Sequence, residues 1–198
     1  ANELEDAFNL ASYASTAVRL GHFSASESEV SKWITQVRDV GDLVLSQDPP
    51  TPEKFDLLVR KGQAFIRDFM DDGDIRRPTE GMRFWLEALD LAERHPLCRV
   101  GRLSDIVQLI APLIGDIDPF DILTDRLDQI TSEKDGAASA ADKARSRGVA
   151  FAEAGNILKA IDQIQRAKIG WLSGETIRGS ILATLLLARW YAGLRLHL

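Results

Sequence analysis

An all-α fold is what this sequence predicts, on three observations. Apolar residues recur at three- and four-residue spacing along nearly the whole chain. Gly and Pro interrupt that period where turns are needed. No stretch alternates apolar and polar residues between turn signals, as a half-buried strand does. The expected architecture is a set of antiparallel helical hairpins, stacked as a short repeat array or gathered into an irregular bundle.

Nine helices are expected. Leu4, Phe8, Ala11, Ser15 and Val18 stripe the first, which Gly21 ends; Val30, Ile34, Val37, Gly41 and Val44 stripe the second, within 27–45. Asp48-Pro49-Pro50-Thr51-Pro52 then breaks the chain, because three prolines cannot continue a helix. Thr51 with Pro52 opens the third helix, about 52–70, which turns Phe55, Leu58, Val59, Gly62, Phe65, Ile66 and Phe69 inward. Asp71-Asp72-Gly73-Asp74 ends it. The fourth starts at Pro78 and stops near His95-Pro96; the fifth runs from Ser104-Asp105 to Gly115; the sixth has Asp118 as cap and Pro119 just inside. A polar linker, Lys134-Asp135-Gly136, separates two regions, 1–135 and 136–198. The second region holds a seventh helix (about 138–154), an eighth (156–169) and a ninth capped by Ser173.

At 198 residues the chain can bury roughly 70% of the surface its unfolded form exposes, so neither disulfide nor structural metal is required. The single cysteine, Cys98, excludes an internal disulfide and points to a reducing compartment, the cytoplasm by default. The formal charge of −6 is unevenly spread: residues 143–198 carry +6 and the first 142 carry −12. Either an acidic partner is steered to the basic end, or the two ends neutralise each other.

No signal peptide is evident in the acidic opening residues. The chain begins without Met, and 180–198 (SILATLLLARWYAGLRLHL) is apolar almost all round yet ends without a cap. A membrane span needs about 20 predominantly apolar residues, and this stretch is shorter and interrupted by arginine. A helix apolar on every side is ordinarily buried. The expectation is therefore that the native protein continues, and that in this piece Leu182, Leu185 and Leu186 are left uncovered and can drive self-association.

Residues 144–172 carry a recognisable pattern: Gly148, then Phe151, Gly155, Ala160, Ile164 and Ala167. Small residues stand where two helices would cross, large ones beside the crossing, and Gly155-Asn156 at the turn. This resembles the tetratricopeptide repeat. The ends depart from the family: Ala144 replaces its Trp, Arg147 its Leu and Leu172 its terminal Pro. Leu187-Ala188 and Tyr191 stand in the same relation forty residues on, against a family period of about 34. The resemblance implies a protein partner held in a groove lined by the first helices of successive hairpins. Arg145, Arg178 and Arg189 would form a basic strip there, suited to an acidic peptide or acidic protein tail. Val149 occupies the place of the asparagine used by the family's carboxylate clamp, so capture of a free C-terminus is not implied.

Catalytic signatures are lacking. Neither Cys-x-x-Cys nor His-x-x-x-His, the close ligand pairs of zinc sites, occurs around His22, His95 or His197, Cys98 has no arguable base, and the glycines form no phosphate-cradling loop. Asp71-Asp72-Gly73-Asp74 lacks the alternating acids and closing Glu of a calcium loop. Asp121, Asp125 and Asp128, four and three apart, read as a solvated acidic face. The basic residues are too dispersed to make nucleic acid an expected partner, and Trp171 and Trp190 read as core. The chain is thus expected to be a non-catalytic interaction or scaffolding module, without cofactor, metal or membrane partner. The alternative is a sensor domain enclosing a small ligand near Trp33, Phe65, Phe69 or Trp85.

Overall fold

A computed structural model describes Asp42 and residues 51–194. These residues are all-helical, with seven helices and no strand among them: α1 (Thr51–Asp72), α2 (Arg76–Arg94), α3 (Gly101–Ile114), α4 (Phe120–Asp135), α5 (Ala137–Glu153), α6 (Ile157–Ser173) and α7 (Ile177–Gly193). Apart from Asp42, which is helical, the first two expected helices, with Trp33 and His22, lie outside the described residues, as does His197. The chain divides into two compact units, Ala1–Ala88 and Leu89–Leu198, the division falling inside α2. The expected linker, Lys134-Asp135-Gly136, falls within the second unit, but Lys134 and Asp135 belong to α4 and Gly136 alone separates it from α5.

In the first unit, α1 meets α2 through a pair of glycines. A Cβ on Gly62 would fall 2.3 Å from Trp85 Nε1 and 2.6 Å from the Gly81 carbonyl oxygen, and one on Gly81 would fall 2.8 Å from that of Gly62. Only residues without a side chain permit this approach. It lets Trp85 lie fully buried and donate from Nε1 to the Val59 carbonyl at 2.9 Å. Phe65 stacks on Phe84 with ring centroids 5.5 Å apart, and the Lys61 ammonium sits 4.3 Å above the Phe84 ring. The Asp71–Asp74 turn is not only a stop. Asp74 accepts from the Arg76 backbone N–H at 3.1 Å and from its guanidinium at 2.8 and 3.0 Å, so it also starts α2. These hydrogen bonds hold the Asp74 carboxyl down at about 2.

Four helix starts differ from expectation. α2 begins at Arg76, two residues before Pro78, once Asp74 has turned the chain. α3 begins at Gly101, because Leu103 is fully buried and its turn is drawn into the helix, leaving Ser104 buried within rather than at the cap. Pro119, not Asp118, is the cap of α4. Ser173 is the last residue of α6, its hydroxyl donating back to the carbonyls of Ile169 and Gly170, and Thr176 takes the cap position of α7.

The second unit is organised by the last three helices, each of 17 residues and joined by three-residue turns. Both turns close alike. Asn156 N–H donates to Phe151 O at 2.8 Å, and Thr176 N–H to Trp171 O at 2.7 Å, with Gly155 (φ 85°) and Glu175 (φ 56°) in the left-handed region. Helix α5 packs against α6 over most of its length. A Cβ on Gly148 would lie 3.0 Å from Ile164 and 3.2 Å from the Ala160 carbonyl oxygen, so Gly148 and Ala160 mark the crossing. Phe151 beside it meets Phe120 edge-on at 6.1 Å and lies against Gly115. Helix α7 is seated on α6 where Gly179 lies flat against the Trp171 ring, with Ala183 and Leu187 continuing the contact.

Candidate partner-binding surface

The charge split in the sequence resolves residue by residue. Four of the nine basic residues in 143–198 pair with carboxylates of the acidic part. Lys143 reaches Asp105 at 2.6 Å; Lys159 lies 3.6 Å from Asp116 and 3.5 Å from Asp121; Arg166 binds Asp125; Arg147 binds Asp128. Asp121, Asp125 and Asp128 are therefore not merely a solvated face. They are three rungs on which the α5–α6 hairpin docks against α4. The signal was present in the spacing. Positions 121, 125 and 128 share one face of α4, and Lys159 and Arg166, two turns apart, share one face of α6.

Arg147 is the surprise among these cations. It stands in the apolar register of α5, with Ala140, Ala144 and Phe151, and is fully buried. Nε donates to Gln163 Oε1 at 2.8 Å and Nη2 donates to Asp128 Oδ2, while Nη1 and Asp128 Oδ1 find no hydrogen-bond partner among the described residues. Burial pushes the Asp128 carboxyl above its ordinary value, and the charges of Arg147 and Arg166 pull the other way without overcoming it.

The folded carboxyl holds its proton more tightly than the unfolded one. Asp128 thus contributes stability that is fully present below the ordinary aspartate value of about 4 and is lost as pH rises through the higher folded value. An Asp128→Asn variant lacks this titration. Denaturant unfolding between pH 3.5 and 7 should show the difference, parent minus variant, falling just above about pH 4 and then levelling. A difference that grows across that window would mean that Arg147 outweighs burial.

The other basic residues behave differently. Arg145, Lys168, Arg178 and Arg189 form no ion pair with a described residue, and Arg195 lies outside the described residues. Arg145 is half-buried on α5; Arg178 and Arg189 are exposed on α7. The two α7 arginines are eleven residues apart, which is three turns, so they share one side of that helix. Between them at helical spacing lie Leu182 and Leu185, 44% and 63% exposed, whereas Leu186 is half-buried. Only Ala183 and Leu187 of α7 are buried.

The remaining candidates sit in ordinary surroundings. Cys98 is buried and His95 is exposed at the end of α2, where Lys134 Nζ donates to the carbonyls of both residues at 3.1 and 3.0 Å. Trp171 is core, and Trp190 packs against the same cluster. Phe69 is half-buried, and Trp85 fills its corner against Gly62. A cavity of 390 Å³ does occur, but it lies elsewhere, open to solvent between α4, α5 and α6, with Asp125, Asp128, Ala141, Arg166 and Ser173 on its walls. Among the described residues, no helix is long and apolar enough to cross a membrane.

The fold and this surface define an all-α helical protein. No protein-family model matches the chain, and no curated protein or solved structure matches it.

Proposed function

We propose that this chain is a non-catalytic, tetratricopeptide-like interaction or scaffolding module, working in the cytoplasm and holding an acidic protein segment. The observation that supports the reading most is the sorting of the basic end. Lys143, Arg147, Lys159 and Arg166 are taken up by internal carboxylates, while Arg145, Arg178 and Arg189 form no ion pair with a described residue. Arginine offers a planar fork of donors matched to carboxylates, and an unpaired, accessible one is available to a partner. The α5–α6 hairpin, with its close crossing at Gly148, is the frame that carries Arg145 and seats the helix bearing the other two.

The test is a double charge reversal, Arg145→Glu with Arg189→Glu, and a fluorescent glutamate-rich peptide as probe. The parent is expected to bind it more weakly as salt rises from 50 to 200 mM, because the attraction is screened. The double variant should lose about tenfold in affinity, roughly 1.4 kcal/mol. Binding unchanged by both the reversal and the salt would remove the basic-surface reading.

A further inference from the structure

We propose that the outer side of α7 docks an amphipathic helix that carries carboxylates at both ends of its apolar stripe. This rests on the interaction-module reading and names the partner. Gly179, Ala183 and Leu187 face α6, and two residues away along the chain, on the opposite side, Ile181 and Leu185 are 55% and 63% exposed. Arg178, Leu182, Leu185 and Arg189 follow one another at intervals of four, three and four, which is one line down a helix. The surface is thus two leucines bracketed by two arginines whose backbone positions are about 16 Å apart along the axis, with Ile181 beside them.

Shape and charge each select the occupant. Helix α6 is covered by α5 on one side and α7 on another, whereas α7 packs on α6 and no other described helix covers its outer side. A further helix laid there would continue the packing that α6 and α7 already show. An extended acidic strand would satisfy the arginines and leave the leucines wet. A second copy fits poorly. The 17 residues of α7 contain two arginines and no Asp or Glu. Pairing this line with itself sets Arg178 opposite Arg189 when antiparallel, and like opposite like when parallel, so both ends repel. The complementary line is acid, Leu, Leu, acid at the same spacing, which pairs in either direction.

The experiment uses the whole 198-residue chain and three synthetic 18-residue probes. The first is a helix-forming peptide with Glu-Leu-Leu-Glu on the line i, i+4, i+7, i+11; the second carries Lys in place of both Glu; the third keeps the first one's Glu and Leu residues but is broken by prolines at other positions. The first probe is expected to bind, and the other two to bind at least about tenfold more weakly. Leu185→Asp and the pair Arg178→Glu, Arg189→Glu should each weaken the first probe about tenfold, while Arg102→Glu, at an exposed arginine of α3 outside the proposed surface, leaves it unchanged. All these positions are exposed or half-exposed, and unaltered thermal melts establish that the variants fold. If the proline-broken probe binds as well as the helical one, or Arg145→Glu removes binding while Leu185→Asp does not, the partner is an extended acidic segment: the α7 proposal falls and the module reading stands. If no acidic probe binds, both fall. Sedimentation completes the test, since a dimer that Leu185→Asp dissociates would make a second copy the occupant and overturn the proposal.

Discussion

Replacing Arg147 by Met is expected to lower the unfolding free energy by about 3–5 kcal/mol, the cost of breaking a buried ion pair from one side. The guanidinium is fully buried, and its loss strands two acceptors, Asp128 Oδ2 and Gln163 Oε1. Asp128 keeps 20% of its side chain exposed, and Arg166 is near enough to act on its charge, so the lower end of that range is the better figure. The informative companion is the double variant, Arg147→Met with Asp128→Leu. A buried pair gains little over well-packed apolar residues, because desolvation consumes most of its Coulomb attraction. The double variant should therefore recover to within about 1 kcal/mol of the parent, or exceed it. Urea unfolding of the parent, Arg147→Met, Asp128→Leu and the double variant gives the coupling directly. A single variant as stable as the parent would mean that Arg147 is solvated in solution.

Gly148→Leu is the second large effect, with an expected loss of about 1–3 kcal/mol from overpacking. Even a methyl group at 148 would stand 3.0 Å from Ile164 and 3.2 Å from the Ala160 carbonyl oxygen. The Ile164 contacts are with the flexible end of a side chain, so Gly148→Ala has room to adjust, and its gain of about 1 kcal/mol in helix propensity offsets the crowding. Leu has nowhere to go without parting α5 from α6. At about 2–4 °C per kcal/mol for a chain of this size, thermal unfolding separates the two variants. If Gly148→Leu melts like the parent, the helices do not cross there. Loss of the crossing should also weaken acidic-peptide binding, since the hairpin carries Arg145 and supports α7.

Several particulars were legible in the residues alone. Three- and four-residue apolar spacing specified helices, because a helix must bury one face and the period of that face is written in the sequence. Gly148, Phe151, Gly155, Ala160 and Ile164 specified the α5–α6 hairpin, and the three-turn separation of Arg178 and Arg189 placed both on one side of α7. Caps were less legible. Asp118 and Ser173 have good capping side chains, but neighbouring turns decided where the chain enters each helix.

Only the tertiary structure decided what each charge does. The sequence showed a basic end and an acidic remainder, with equal reason for internal neutralisation and for an external partner. Coulomb attraction depends on distance and burial, and neither is carried by composition. The packing of α5 and α6 onto α4 brought Lys159, Arg166 and Arg147 to Asp121, Asp125 and Asp128, and it sank Arg147 into the core in the apolar register of its helix. Among the described residues, the same packing left α7 covered on one side only, with Arg178 and Arg189 in no ion pair beside exposed leucines. Which cations hold the fold together and which remain for a partner is thus a property of helix placement, because a charge is satisfied only by what the fold brings within a few ångströms of it.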